Sequence, residues 1–227
     1  ITLAIGVSRM AKRRAIIRKL PAVETLGSAM IICSDKTGTL TENQMTEQEI
    51  FAGGSLYQVT GAGYLPQGDI REGDRPVAVS DQPLLKECLT AGLLCNTARL
   101  VEKSGRYEIE GDPTEGALIV SARKAALDER TLAAALKRVD TLPFESQHQY
   151  MATLHDGGEG NPRVVYMKGS VEKVLERCGD LADKDALHAC AEKMASRGLR
   201  VLAFAKKEIS PEKTVLGHAD LEGMTFL

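Results

Sequence analysis

The chain has 227 residues, with 29 Lys and Arg against 31 Asp and Glu, and a formal net charge of −2. This length can bury one sizeable core, or one complete domain with part of another. Because no broad positive excess exists to exchange for counterions, nucleic acid is not expected as a partner. The five cysteines form no CxxC pair and the four histidines have no compact ligand spacing, so neither a disulfide framework nor a zinc site is indicated. A reducing setting is the simple inference.

The first twenty residues combine a short apolar stretch with basic residues. Residues 1–7 are apolar but far short of the roughly 18 to 20 residues that span a bilayer. We interpret them as the tail of a membrane helix and not as a signal peptide. A basic cluster follows, formed by Arg9, Lys12, Arg13, Arg14, Arg18 and Lys19. Beside a membrane exit such a cluster indicates the cytoplasmic side, although a solvated helix face or a nucleic-acid patch would have the same composition.

The pattern along the chain predicts alternating helices and strands. A basic helix near residues 6–19 leads through Pro21 into a strand at 29–33. Residues 49–80 hold short β-like pieces between glycine and proline turns, with an exposed loop at 65–75. Further helices are expected at 83–98, 114–126, 129–137, 171–178 and 185–197. Further strands are expected at 106–110, 151–155, 163–168 and 200–205.

The motif DKTGTLT, residues 35–41, directly follows the apolar run 30–33. It places the Asp35 carboxylate where a buried strand is predicted to end, which is where open α/β sheets bind ligands. An aspartate in that position can attack phosphorus as a nucleophile. Lys36 can offset charge on the transferring group, and Thr37 can help to hold phosphate oxygens. The plain alternative is a strand-to-loop turn in which Asp35 only caps the backbone.

Several motifs resemble those of the P-type ATPases, membrane pumps in which an aspartate takes the γ-phosphate of ATP. CSDKTGTLTENQMT, residues 33–46, resembles their phosphorylation-site signature, and residues 9–28 resemble the stalk before it. The nucleotide-domain motifs follow in family order: GDPTEGAL from Gly111, the segment around Phe144, KGS from Lys168 and GLRVLAFA from Gly198. The set is most similar to the calcium and sodium-potassium pumps and less similar to the heavy-metal pumps.

The resemblance implies an α/β fold class with two kinds of domain. An α+β nucleotide-binding domain, with a mainly antiparallel sheet flanked by helices, would be inserted into a partial haloacid-dehalogenase-like Rossmannoid phosphorylation domain. The implied division has a membrane-exit stalk at 1–20 and an N-terminal piece of the phosphorylation domain at 21–46. The nucleotide-binding domain would cover 47–227 and end before the rest of the phosphorylation domain.

The resemblance also implies the residues of an ATP site. Phe144 would stack on adenine, although core packing is a real alternative for a phenylalanine. Lys168 would place its ammonium beside the nucleotide while Gly169 lets backbone approach, the alternative being an exposed lysine at a strand end. Glu115 would accept from the adenine amino group or orient a basic residue, or would simply belong to the first turn of a helix. Arg200 would bridge the nucleotide phosphates, or form a surface ion pair.

Two departures from the family pattern are apparent. Gln149 stands where these pumps commonly have a lysine, which predicts weaker nucleotide binding. Mg²⁺ would be held by Asp35 and by the carbonyl of Thr37, but the acidic GDGxND loop that completes this site in the family does not occur in the 227 residues. We therefore expect the chain to bind ATP without hydrolysing it.

The expected parent protein is a cation-transporting ATPase of the cell membrane that uses ATP and Mg²⁺ to phosphorylate Asp35, catalysis being assisted by Lys36. Its partners would be the transported cation, bound in membrane helices outside this chain, and the actuator and remaining phosphorylation domain of the same protein. The chain itself would lie on the cytoplasmic side. The alternatives are a soluble haloacid-dehalogenase-type phosphatase and a non-catalytic nucleotide-binding module.

Overall fold

A computed structural model describes residues 2–19, 21–179, 181 and 183–227. It divides between Asn43 and Gln44 into two compact units. Within the described residues, no helix combines the length and the apolar character that crossing a bilayer requires. The three-part domain division inferred from the sequence stays a prediction.

The first unit contains two helices, α1 (Thr2–Lys12) and α2 (Pro21–Gly27). The basic helix therefore starts and ends earlier than predicted, and Arg14, just beyond its end, has a left-handed φ of 65°. The predicted strand at 29–33 is wrong: these residues form no ladder with any strand in the described part of the chain. Met30 and Ile32 are 97% and 89% exposed. An apolar run becomes a strand only when a neighbouring strand pairs with its backbone.

The second unit contains the remaining helices and the strands. The strands, in chain order, are β1 (Glu49–Ala52), β2 (Ser55–Val59), β3 (Ile70–Glu72), β4 (Arg75–Pro76), β5 (Arg99–Lys103), β6 (Arg106–Glu110), β7 (Lys137–Glu145), β8 (Tyr150–Asp156), β9 (Arg163–Gly169), β10 (Ala203–Ile209) and β11 (Thr225–Phe226). The helices are α3 (Pro83–Leu94), α4 (Pro113–Lys124), α5 (Glu129–Ala135), α6 (Val171–Arg177) and α7 (Lys184–Ala195). Short 3₁₀ turns lie at Val79–Asp81 and His218–Leu221.

The strands form three antiparallel sheets. β1 to β4 pair in chain order, β5 pairs with β6, and the five-stranded sheet has the order β11-β10-β9-β8-β7. Helices pack on these sheets, so the predicted mixed α/β class with mainly antiparallel sheets is confirmed. The expected exposed loop at 65–75 is wrong in part, because β3 and β4 form a hairpin there and Ile70 is buried in the core.

Strand β7 was not predicted, and the last predicted strand begins three residues late, at Ala203 instead of Arg200. Pro143 lies inside β7, and a proline argues against a central strand because it cannot donate to the ladder. β7 lies at the edge of its sheet, where that loss is tolerated. The edge position is a property of the topology and is invisible in the local pattern.

The side-chain alternation of the five-stranded sheet decides which residues face which helices. Tyr150 and Val165 lie on one face and pack with α6, whereas Met151 and Phe204 lie on the other and pack with α3. Lys168 is in register with both Met151 and Phe204 and shares their face. The sheet therefore directs Lys168 toward the side that carries α3 and α4.

Candidate nucleotide-binding site

A buried ion pair joins two of the predicted site residues. Lys168 lies near the end of β9 and Glu115 in the first turn of α4, and Nζ of the lysine is 2.6 Å from Oε1 of the glutamate. The two side chains are only 8% and 11% exposed. Of the alternatives left open by the sequence, an exposed lysine is excluded, and Glu115 does orient a basic residue. Charged groups buried this deeply require pairing and hydrogen bonding.

The second carboxylate oxygen of Glu115 is held by the loop that follows α3. Oε2 accepts from the Thr97 hydroxyl at 2.7 Å, from the Thr97 N–H at 3.0 Å and from the Ala98 N–H at 3.0 Å. Burial raises the pKa of Glu115, but the Lys168 ammonium and the bonds from Thr97 outweigh it and hold the pKa below its usual range. Sequence reasoning missed Thr97, and no local pattern links it to Glu115.

The start of α4 explains the placement of Glu115. Asp112 is the N-cap, and its carboxylate accepts from the backbone N–H groups of Thr114 at 2.7 Å and Glu115 at 3.2 Å. Pro113 occupies the first helical turn, where its missing N–H costs nothing. Glu115 is thus both a first-turn residue, favoured by the helix dipole, and the partner of Lys168.

Arg200 lies in the loop before β10 and is exposed. Its Nη1 donates to the Thr114 hydroxyl at 3.1 Å, which brings the guanidinium to the N-terminal turn of α4 beside Glu115. This hydrogen bond uses one of the five N–H donors of the guanidinium, so other donors can bind a ligand. Three predicted residues, Glu115, Lys168 and Arg200, therefore surround one helix start.

Phe144 lies near the end of β7 and is 59% exposed, so the alternative of core packing is wrong. The ladder pairs Leu142 with Ala152 and Glu145 with Tyr150, so that Pro143 and Phe144 together oppose Met151 in a bulge. Met151 is in turn the register partner of Lys168. Phe144 is therefore two strands from Lys168, a backbone separation of roughly 10 Å.

Gly169 and Gln149 lie close together at the end of the β8–β9 hairpin that is opposite its turn. A Cβ on Gly169 would lie 2.5 Å from the Gln149 carbonyl oxygen, so the backbone that approaches this glycine is the chain's own. The same carbonyl accepts from Ser170 N–H at 3.0 Å. Gln149 is exposed and has a left-handed φ of 58°. Among the described residues its side chain accepts one hydrogen bond, from the Ser170 hydroxyl, and this bond is long at 3.4 Å, so the side chain can turn toward a ligand.

The DKTGTLT motif, residues 35–41, lies in the first unit as an exposed loop. Asp35 is exposed, and one of its oxygens accepts from Thr37 N–H at 3.4 Å. The Lys36 carbonyl accepts from the N–H groups of Leu40 and Thr41, and Gly38 supplies the left-handed φ of 73° that this turn needs. The Asp35 carboxylate is accessible to an incoming group.

Two oxygens in this loop can serve Mg²⁺, the Asp35 carboxylate and the Thr37 carbonyl. Among the residues that the structure describes, no cluster of three or more His, Cys, Asp or Glu can hold a metal ion. Mg²⁺ requires near-octahedral oxygen coordination. The role of the Asp35 carboxylate and the Thr37 carbonyl as ligands of Mg²⁺ therefore stays a prediction.

A cavity of about 400 Å³ adjoins the helix start and is lined by Thr114 and Arg200. Most of the other residues that line the cavity are apolar, for example Phe204, but Glu47 lines it as well. Oε2 of Glu47 is buried and has no hydrogen-bond partner among the described residues. Burial raises the pKa of Glu47 to about 7, against smaller opposing effects of the Ser121 hydroxyl and the Lys124 ammonium. No sequence pattern singled out this carboxyl group.

Comparisons with known proteins agree with the fold. A family model described as "P-type ATPase, cytoplasmic domain N" matches residues 84–226. Cation-transporting ATPase pma1 of Synechocystis is 50% identical over all of this chain and 26% of its own length. The probable cation-transporting ATPase F of Mycobacterium tuberculosis is 50% identical over 89% of the chain and 23% of its own length.

The human calcium-transporting ATPase type 2C member 1 is 38% identical over 96% of the chain and 24% of its own length. The chain thus spans about a quarter of the length of these curated relatives. The family model matches most of the second unit, and the antiparallel sheets and the ion pair at a helix start are consistent with it. The chain therefore belongs to the P-type ATPase family and carries its cytoplasmic domain N, the nucleotide-binding part.

Proposed function

We propose that this chain binds ATP through its second unit, and that the whole protein transfers the γ-phosphoryl group of ATP to Asp35 to drive cation transport. The observation that carries the proposal is the convergence of Glu115, Lys168 and Arg200 at the first turn of α4. The names of the relatives support cation transport as the purpose of the whole protein.

Each residue has a separate task in nucleotide binding. The exposed ring of Phe144 stacks on adenine, an interaction of about 1 to 3 kcal/mol per base in nucleic-acid binders. Lys168, oriented by Glu115, directs its remaining N–H donors to the nucleotide, with Gly169 allowing the tight packing behind it. Arg200 contacts the phosphates, for which a planar guanidinium is better suited than an ammonium.

The chemical step belongs to Asp35 and Lys36. A carboxylate oxygen of Asp35 attacks the γ-phosphorus, the bond from that phosphorus to the bridging oxygen breaks, and ADP leaves with the electron pair. An aspartyl phosphate results, and no proton transfer is needed. The Lys36 ammonium offsets negative charge as the group transfers. When bound, Mg²⁺ would neutralise phosphate charge, and Asp35 and Thr37 would provide two of its oxygen ligands.

The domain assignment follows the same proposal. Residues 1–20 are the stalk, 21–46 a piece of the phosphorylation domain, and 47–227 the nucleotide-binding domain. Outside this chain, the actuator, the rest of the phosphorylation domain and the cation-binding membrane helices would complete the pump. The basic residues of the stalk are consistent with a position on the cytoplasmic side of a membrane.

Calorimetric titration of the 227-residue chain with ATP tests the binding proposal. Lys168→Met should weaken binding strongly but leave it measurable, whereas Lys103→Met, which removes an exposed ammonium paired with Glu110, should not weaken it. Equal affinities of the two variants would contradict the proposed site.

Two alternative functions, a soluble phosphatase and a non-catalytic nucleotide-binding module, differ from this proposal in what they require. A soluble phosphatase needs no nucleotide pocket, and a binding module needs no reactive aspartate.

Labelling of the full-length protein with γ-³²P-ATP tests the chemistry. We expect an acid-stable, hydroxylamine-sensitive label that disappears in Asp35→Asn. Retention of the label in that variant would eliminate Asp35 as the nucleophile. ATP binding without any label would favour the non-catalytic module.

A further inference from the structure

We propose that Thr97 is a positioning residue of the nucleotide site, acting through Glu115 on the ammonium of Lys168. This inference rests on the proposed ATP binding and deepens it by assigning a residue that no motif includes. Thr97 itself need not touch the nucleotide.

The two oxygens of the Glu115 carboxylate have different tasks. Oε2 accepts the three bonds from Thr97 and Ala98, whereas Oε1 accepts the bond from Lys168 Nζ. Rotation of the carboxylate to follow a moving lysine would stretch all three bonds at Oε2. The hydrogen bonds at Oε2 therefore fix the direction of Oε1. Since Oε1 accepts from Lys168, they also fix the position of the ammonium.

The loop that presents Thr97 is itself anchored on three sides. The side-chain amide of Asn96 donates to the backbone carbonyl of Glu115 at 2.9 Å and to that of Gly92 at 3.2 Å, and its oxygen accepts from Ala98 N–H at 2.9 Å. Arg138, on β7, donates to the Asn96 carbonyl at 2.7 Å and also to that of Leu94. The loop is therefore tied to α3, α4 and β7 and cannot easily follow the carboxylate.

Of the three hydrogen bonds to Oε2 of Glu115, only the one from the Thr97 hydroxyl depends on the identity of a side chain. The two backbone N–H groups persist in any variant, but the hydroxyl makes the shortest of the three bonds, at 2.7 Å to a charged acceptor. Thr97 is exposed, so its replacement by valine leaves no cavity in a core. A change in nucleotide affinity can then be separated from a loss of folding.

Four proteins test the proposal: the unaltered chain, Thr97→Val, Thr97→Ser and the control Thr131→Val. Thr131 is also exposed and also donates its hydroxyl to a carboxylate, that of Asp128 at 2.5 Å, at the start of α5. We expect Thr97→Val to bind ATP about three- to tenfold more weakly, Thr97→Ser to restore most of the affinity, and Thr131→Val to leave it unchanged. The melting temperatures should stay similar.

A double-mutant cycle separates positioning from direct contact. If Thr97 acts through Lys168, Thr97→Val should weaken ATP binding in the unaltered chain but add nothing in the Lys168→Met background. An equal loss in both backgrounds, or unchanged affinity of Thr97→Val, would overturn the proposal. So would failure of Thr97→Ser to restore binding.

A measurement without nucleotide keeps the two proposals distinct. The NMR signal of the Lys168 Nζ group should move in Thr97→Val and return toward its original position in Thr97→Ser. If the unaltered chain failed to bind ATP, the proposed function would fall, and this signal would still report on Thr97. No displacement of the signal would refute the positioning role.

Discussion

Nζ of Lys168 lies 2.6 Å from Oε1 of Glu115, and the two residues are 53 positions apart in the chain. Both side chains are about nine-tenths buried, so each charge depends on the other for compensation. We therefore expect two consequences of the pair, one for stability and one for the proposed nucleotide binding, and they can be measured separately.

We predict that Glu115→Gln lowers the free energy of unfolding by about 3 kcal/mol, because it leaves a buried ammonium without its counter-charge. Urea denaturation followed by circular dichroism measures this. Adding Lys168→Met to Glu115→Gln should recover much of the loss without recovering ATP binding. The control Glu110→Gln breaks an exposed pair with Lys103 and should leave stability almost unchanged. Equal losses in Glu115→Gln and Glu110→Gln would contradict the prediction.

Glu47 should make the protein less stable as the pH rises. Burial raises its pKa from 4.5 to about 7 in the folded state, so between these values the unfolded chain releases a proton that the folded chain keeps. Unfolding is therefore favoured progressively across this window, by as much as about 3 kcal/mol above pH 7. We predict that Glu47→Gln is more stable than the unaltered chain at pH 8 and equally stable at pH 4.

Urea denaturation at several pH values between 4 and 8 checks this prediction. Glu159→Gln, which removes a carboxyl group at an exposed loop position, is the matched control for the substitution. A stability difference for Glu47→Gln that does not vary with pH would show that Glu47 is not buried as a neutral acid.

His155 should have the opposite effect. His155 is 1% exposed, and burial lowers its pKa from 6.5 to about 4. Its Nδ1 forms a hydrogen bond with the Leu136 carbonyl, and its Nε2 forms one with the Thr153 hydroxyl. Between these values the unfolded state binds a proton that the folded state does not, so stability is full above pH 6.5 and falls toward pH 4. The expected loss is about 3 kcal/mol.

The difference between His155→Gln and the unaltered chain isolates this contribution from other titrating groups. We expect that difference to shrink steadily from pH 7 to pH 4. A flat difference would mean that the imidazole binds its proton equally readily in the folded and the unfolded state.

Gln149→Lys is predicted to bind ATP more tightly, up to about tenfold, because an ammonium makes charge-assisted hydrogen bonds to phosphate that an amide cannot make. Calorimetric titration at fixed ionic strength measures the change. Gln147→Lys adds the same charge to the same hairpin and serves as the control. Equal gains in the two variants would point to general attraction, and no gain would mean that position 149 does not face the nucleotide.

Local patterns predicted several elements well and failed where pairing decides the outcome. Alternation and turn residues were sufficient for β6, β8 and β9, whose predicted and observed bounds agree within one residue. The apolar run at 30–33 has the composition of a strand but makes no ladder, and β7 contains a proline yet pairs as an edge strand. Composition reports a tendency, whereas a strand exists only with a partner.

The sequence by itself determined the family and the chemical types present, because the motifs around Asp35, Glu115, Phe144, Lys168 and Arg200 are short and local. Only the tertiary structure decided which of these groups meet. It paired Lys168 with Glu115, added Thr97 from a loop that no motif marks, and buried Oε2 of Glu47 without a hydrogen-bond partner among the described residues. The physical reason is that hydrogen bonds and burial depend on distances in space, between residues far apart in the chain, whereas periodicity and motifs describe only near neighbours.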